Sequence, residues 1–334
     1  MTKKSNSSFS QTPVFASIDL GTNNCRLLIA HPNEENGNGM HVIDRFSRIV
    51  RLGEGLGKTG LLSETAIERT TKVLKICAQK IEAQGVYQTI AIATEACRQA
   101  SNDKEFFHHV EQETGIRLKT ITSKKEAELT LAGCIPLLTK ELPYVLMFDI
   151  GGGSTELIWL EKKTSNDPNV IEILSLPFGV VSLAEEFTPY KLSVMGIEKL
   201  IKQIDTALGP FEKRHDIANQ INAGNVQVLG TSGTVTTMGS IYLNQSSYER
   251  TQVDGLSIRF ESIFAICKKL FSLDIQALKN HPCIGPERAD LMVMGCVILT
   301  AICRRWPAKS LTAADRGIRE GLLLDMISSN KAVN

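Results

Sequence analysis

FDIGGGSTELIW, residues 148 to 159, ends an apolar run on Asp149 and gives up side chains at Gly151, Gly152 and Gly153. It then offers the hydroxyls of Ser154 and Thr155 and returns to an apolar run through Glu156. A β-like run, a glycine turn and a second run predict a strand, loop, strand hairpin. The segment recurs: SIDLGTNNCRLLIA (17 to 30) superposes on MFDIGGGSTELIWL (147 to 160), with Asp19 over Asp149, Gly21 over Gly151 and Arg26 over Glu156. This is an internal duplication.

The hydrophobic pattern after each copy runs in similar order. After the first come a strand at 42–52, a helix at 63–84, a strand at 89–94, a helix around EFFHHVEQE, a strand RLKTIT and a helix from Lys124. After the second come a strand IEILSL, a helix near 194–214, a strand VQVLG and further helices. Two mixed sheets covered by helices are expected, an α/β fold with a cleft between similar halves and one glycine loop from each half facing it. Pro136 to Pro143 interrupts the pattern and marks the break. The expected parts are a frayed lead-in at 1–12, a first domain at 13–137 and a second at 138–311. The terminal SLTAADRGIREGLLLDMI supplies a strand, a turn and a helix over 312–330 that returns to the first domain.

Composition narrows the function. With 334 residues, 43% hydrophobic and 22% charged, the chain reads as a soluble globular protein of two domains. A formal net charge of +1 leaves no globally basic surface, and aromatics are only 6%, so no nucleic-acid partner is expected. The eight cysteines form no CxxC pair and sit mostly in apolar runs, as reduced thiols of a cytoplasmic protein would. MTKKSNSSFSQTP lacks an apolar core, so a signal peptide is not expected. LMVMGCVILTAIC (291 to 303) is too short to span a bilayer and suits a buried helix. No histidine falls in a metal-ligand spacing.

Glycine lets backbone approach a ligand closely, and successive amides can form an anion nest. GGGST therefore reads as a phosphate cradle, with Asp149 and Glu156 flanking it where a hard cation would sit beside a phosphate. DLGTNN repeats the device. LGTSGTVTTMG (229 to 239), after a strand and opening a helix, adds a third phosphate-type loop. Because Arg26 stands where the second copy has Glu156, the metal is expected to lean on the second domain. Asp19 is expected in a metal-water or phosphate role. Asp315 and Arg316 are expected to fix the turn into the closing helix.

These segments, with ATEACRQASN (93 to 102), ITSKKEAELTLAG (121 to 133) and ADRGIREGLL, resemble the exopolyphosphatase and guanosine pentaphosphate phosphohydrolase (Ppx/GppA) family of the actin-like superfamily. The resemblance spans nearly the whole chain, in the short two-domain form without the additional C-terminal helical domains of long members. It implies two ribonuclease-H-like (actin-like) domains that hydrolyse the terminal phosphoanhydride of inorganic polyphosphate, or the 5′-terminal phosphate of pppGpp. It implies Mg²⁺ as cofactor, with Mn²⁺ as the alternative, and a cytoplasmic homodimer with no membrane partner. On the same resemblance, Glu126 would be the general base. Asp149 and Glu156 would place the metal, and Asn23, Arg98, Gly151, Gly152, Gly153, Ser154, Ser232 and Gly233 would hold phosphates.

Two departures stand out. Thr122, Ser123, Lys124 and Lys125 precede Glu126 where the family usually shows Ser-Gly, and Asn24 stands where a serine is common. Lys124 and Lys125, next to the base, are expected to contact the polyanion. A kinase of the same superfamily shares the glycine loops but is generally longer, with insertions that build an acceptor site. A (p)ppGpp sensor or filament subunit would have no need of Glu126, Asp149 and Glu156 beside a phosphate.

Overall fold

A computed structural model describes residues 12–33, 39–164, 167–187 and 192–333. Apart from Thr12, the expected lead-in lies outside the described residues. The first sheet takes β1 (Phe15–Leu20), β2 (Asn24–Pro32), β3 (Met40–Ile49), β4 (Gln88–Ala93) and β5 (Leu118–Thr120) in the order β3-β2-β1-β4-β5. The second takes β6 (Tyr144–Ile150), β7 (Thr155–Thr164), β8 (Asp167–Leu176), β9 (Val226–Thr231), β10 (Ser257–Arg259) and β11 (Ser310–Ala314) in the order β10-β11-β9-β6-β7-β8. In each, a hairpin-linked antiparallel trio passes through its first strand into parallel neighbours. The second sheet gains the short antiparallel edge strand β10, which sequence reading misses because three residues carry no periodicity.

Helices of the first half are α1 (Leu56–Thr59), α2 (Glu64–Ala83), α3 (Glu95–Gln99), α4 (Asp103–Thr114) and α5 (Ser123–Cys134). Those of the second are α6 (Val180–Glu186), α7 (Val194–His215), α8 (Ile217–Asn222), α9 (Gly233–Tyr242), α10 (Arg250–Val253), α11 (Phe260–Phe271), α12 (Ile275–Lys279) and α13 (Ala289–Arg305). The chain then turns into α14 (Ile318–Val333). The apolar run at 291–303 is the middle of α13, buried at every position. No helix among the described residues is long and apolar enough to cross a membrane.

Both central strands are sandwiched, which is why they read as unbroken apolar runs. Ala16, Ile18 and Leu20 of β1 join the core shared with Leu74 and Cys77 of α2, whereas Phe15 joins Leu323, Met326 and Ile327 of α14. In β6, Leu146, Phe148 and Ile150 pack with α7 and α13, and Val145 and Met147 pack with Ala127, Leu131 and Cys134 of α5. The carboxylates Asp19 and Asp149 thus share a strand face with the residues that meet α14 and α5 respectively. Although α5 follows the first sheet in sequence, its apolar face covers the second, and α14 covers the first. These two helices also pack on each other through Leu129, Ile318 and Leu322.

Candidate active site

The duplicated hairpins coincide in geometry. Asp19 pairs with Arg26 across β1 and β2, and Asp149 with Glu156 across β6 and β7. Each turn is closed by the same bond, Gly21 N to Asn24 O and Gly151 N to Ser154 O, both 2.9 Å. The second loop gives its carbonyls away: Val180 N donates to Gly151 O at 3.0 Å and Val181 N to Gly152 O at 2.8 Å, at the start of α6. Among the described residues, the amides of Gly152 and Gly153 meet no acceptor and remain available to an anion.

The glycines answer to the opposite half as well as to a ligand. A Cβ at Gly152 would fall 2.8 Å from Thr22 Cβ, and one at Gly153 would fall 2.8 Å from Glu95 Cγ. The two loops abut across the cleft, and side chains there would force the halves apart. Gly233 is different, since a Cβ would meet nothing within 4 Å. It opens α9 behind Ser232, whose Oγ accepts from Thr234 N and Val235 N, each at 3.1 Å, and whose backbone is held at φ 136°. A non-glycine residue there is strained, a feature concentrated at functional sites.

One cleft is lined by Asp19, Asn23, Glu126, Asp149, the loop Gly151 to Ser154, and Ser232 with Gly233. Arg26, Arg288 and Arg319 also line it. Glu126, in the first turn of α5, is buried; its Oε2 accepts from Arg98 Nη1 at 2.6 Å, and its Oε1 makes no hydrogen bond among the described residues. Burial, then the charge of Glu156, pushes its carboxyl well above the usual range against the pull of Arg98. Asp149 is raised to about 7, by burial first and by Glu156 second. Asp19 is raised by burial, opposed by Arg26 and Arg319. Glu156 is raised by burial, opposed by the hydroxyls of Ser154 and Ser175, which donate to its Oε1 at 2.7 and 2.9 Å.

Not every residue singled out from sequence reaches the cleft. Arg98 does not line it; it donates to Glu126, to Ile121 O at 2.9 Å and to Glu95 Oε2 at 2.7 Å, and so orients carboxylates. Glu156 sits behind Ser154 and not at the surface of the cleft. Lys124 and Lys125 are exposed outside the cleft, with Lys125 Nζ 3.3 Å from Asp325 Oδ2 of α14. Helical phase explains this, because successive residues turn by about 100° and Glu126 takes the inward direction. Sequence reading did not single out Arg288, which has no motif of its own, or Arg319, which lies inside ADRGIREGLL. Asp315 and Arg316, by contrast, line the cleft while held at the turn into α14 by Arg250 and Asp254.

Among the described residues, no three or more His, Cys, Asp or Glu side chains form a metal cage. The donor set still fits a hydrated divalent cation. Asp19 and Asp149 are buried carboxylates in the cleft, and the buried Oδ1 atoms of Asn23 and Asn24 have no hydrogen-bond partner. Hard oxygens of this kind suit an ion held by one or two carboxylates, waters and substrate phosphates.

Burial of Asp149 gives a test with a definite sign. A carboxyl raised from 3.8 to about 7 contributes stability that is present below pH 4 and lost as pH climbs to 7, because the unfolded chain ionises first. Asp149→Asn is therefore expected to melt above the parent at pH 8 without divalent cations, by an amount on the order of a few kcal/mol, and to converge with it near pH 4. Scanning calorimetry in chelator checks this.

Comparison with known proteins bears on the fold and the family. A relative from Fusobacterium nucleatum, a bifunctional 3-dehydroquinate synthase/phosphatase, is 32% identical over 295 residues, covering 86% of this chain. The chain spans 42% of the length of that relative. The crystal structure of the Aquifex aeolicus member of the Ppx/GppA family superposes with a TM-score of 0.78 at 27% identity, covering 96% of this chain and 99% of that one. An exopolyphosphatase-like protein superposes with a TM-score of 0.84 at 28% identity, covering 95% and 99%. A sequence model described as the Ppx/GppA phosphatase family matches residues 29–330. Duplicated hairpins, shared fold and matched sequence over nine-tenths of its length lead to one conclusion: this chain belongs to the Ppx/GppA phosphatase family.

Proposed function

We propose that the chain is an exopolyphosphatase, cleaving the terminal phosphoanhydride of inorganic polyphosphate to release orthophosphate. The observation that carries this is Glu126, a buried carboxyl gripped by Arg98 on one oxygen, with the other unbonded among the described residues, in the cleft that the loop Gly151 to Ser154 also lines. Phosphoryl transfer to water requires mainly positioning and charge stabilisation. Glu126 Oε1 takes the proton of a water whose oxygen attacks the terminal phosphorus. The bridging P–O bond breaks, and the shortened chain leaves as an anion. Amides of Gly152, Gly153 and Gly233 hold phosphate oxygens, with Arg26, Arg288 and Arg319 along the cleft.

Asp149 and Asp19, with Glu156 ordering Ser154 behind them, would hold Mg²⁺, which would supply neutralisation of phosphate charge. Chelation is expected to abolish phosphate release, and added Mg²⁺ to restore it. Activity that survives exhaustive chelation would remove the ion from the proposal.

We choose polyphosphate over pppGpp because the described residues lining the cleft include no aromatic ring on which a guanine would stack. Phosphate release from long-chain polyphosphate and from pppGpp, at equal enzyme and Mg²⁺, is the deciding measurement. Faster release from polyphosphate is expected; faster release from pppGpp overturns the choice of substrate.

A further inference from the structure

The segment after β3 is bonded to both sides of the cleft. Val50 N and Arg51 N donate to Asn23 O at 2.8 and 3.0 Å, and Gly53 N donates to Thr22 O at 3.0 Å, so residues 50–53 brace the first glycine loop. The Arg51 side chain points to the other half. Its Nη2 donates to Glu287 O at 3.0 Å and lies 3.4 Å from Asp290 Oδ1, and its Nη1 lies 3.5 Å from Asp290 Oδ2. Four residues on, Gly55 N donates to Glu185 Oε1 at 2.7 Å.

The groups met on the far side are themselves supports of the site. Glu185 belongs to α6, whose first amides hold the second glycine loop. Glu287 and Asp290 bracket Arg288, which lines the cleft where α13 begins. Arg51 also sits at φ 46°, the left-handed region, which costs an arginine free energy. Its amide is held by Asn23 and its carbonyl by Arg69 Nη2 at 3.0 Å, so the backbone strain is fixed from both sides.

We propose that Arg51 and Asp290 form a clasp that sets the width of the cleft, making Arg51 a positioning residue for phosphate binding. It aligns Arg288 and the Gly151 to Ser154 loop with Asn23 without touching substrate. This rests on the cleft being the phosphoanhydride site, but the clasp itself is defined by the two halves alone. The side chains of the pair are half-exposed, at 34% and 27%, so the clasp biases an equilibrium between open and closed forms and does not lock it. Apparent affinity falls with the fraction of closed protein.

The test uses Arg51→Met, Asp290→Asn and the double variant of the full chain. Each single variant is expected to raise KM for tripolyphosphate about fivefold with kcat within about twofold, and the double no further than either alone. Spin labels at Glu105→Cys on α4 and Lys268→Cys on α11, in a Cys283→Ser background that removes the one native thiol that is not buried, report the separation of the halves without ligand. In all three variants the distance distribution is expected to broaden to longer values, and ~1 M salt is expected to do the same in the parent. An unchanged distribution, whatever the melting temperature, refutes the clasp. Independent KM effects that multiply in the double variant refute the pairing. If no phosphoanhydride is cleaved at all, the functional reading fails while the label distances still decide the clasp.

Discussion

Glu126→Gln is expected to lower phosphate release from polyphosphate by about 10²- to 10⁴-fold, the range an oriented general base contributes. Glutamine keeps the size of the side chain and can still accept from Arg98 Nη1, which donates to Oε2 at 2.6 Å in the parent. It cannot take a proton from water. Substrate affinity should hold or improve, because an acidic group is removed from a cleft where burial, Glu156 and Asp19 already oppose its ionisation. Tripolyphosphate binding by calorimetry and orthophosphate release on the same preparation separate the two effects. Release within tenfold of the parent, with binding intact, would move the base elsewhere. Arg98→Lys supplies the companion measurement: a lysine cannot span Glu95, Glu126 and Ile121 O together, so a loss in kcat at little cost in KM is expected.

The pattern of Glu126 and Arg98 shows how much of the site was legible. The duplication was plain in the sequence because both hairpins need the same parts, a carboxylate at a strand end and glycine where Gly21 N or Gly151 N closes the turn. The third loop was legible for a similar reason, since a strand, a hydroxyl cap and a helix start are local signals. What each glycine faces was not local. The neighbours that exclude a side chain at Gly152 and Gly153 are Thr22 and Glu95, which only the closed fold brings there. Lys124 and Lys125 turn away for reasons of helical phase, and Arg98 stands one step back from the cleft, donating to Glu95 and Glu126, which line it. Arg288 carries no motif, Arg319 was read only as part of ADRGIREGLL, and the approach of α13 and α14 puts them beside the loops.

Gly133→Ala and Gly321→Ala are expected to damage stability and catalysis together, because α5 and α14 meet backbone to backbone. A Cβ at Gly133 would lie 2.1 Å from Gly317 O, and one at Gly321 would lie 2.1 Å from Leu129 O. The contacts repeat at a spacing of four residues, 129 with 133 on α5 and 317, just before α14, with 321 on it, and both meet backbone, so neither methyl can be absorbed by a rotamer change. The helices must separate, at a cost of about 3 kcal/mol or more for overpacking against backbone. Glu126 lies one turn from Leu129, and Arg319 two residues from Gly321, so the same separation displaces groups of the cleft. A shift of about 1 Å is enough to lower kcat by roughly 10²-fold. Since either methyl alone forces the helices apart, the second should cost little, and the double variant should fall well short of the sum of the singles. Gly57→Ala, where a Cβ meets nothing within 4 Å, is the control and should melt within about 1 °C of the parent. Thermal melts and kcat on the four proteins check this, and additive losses, or unaltered kcat in both singles, would show that the helix crossing does not set the position of Glu126.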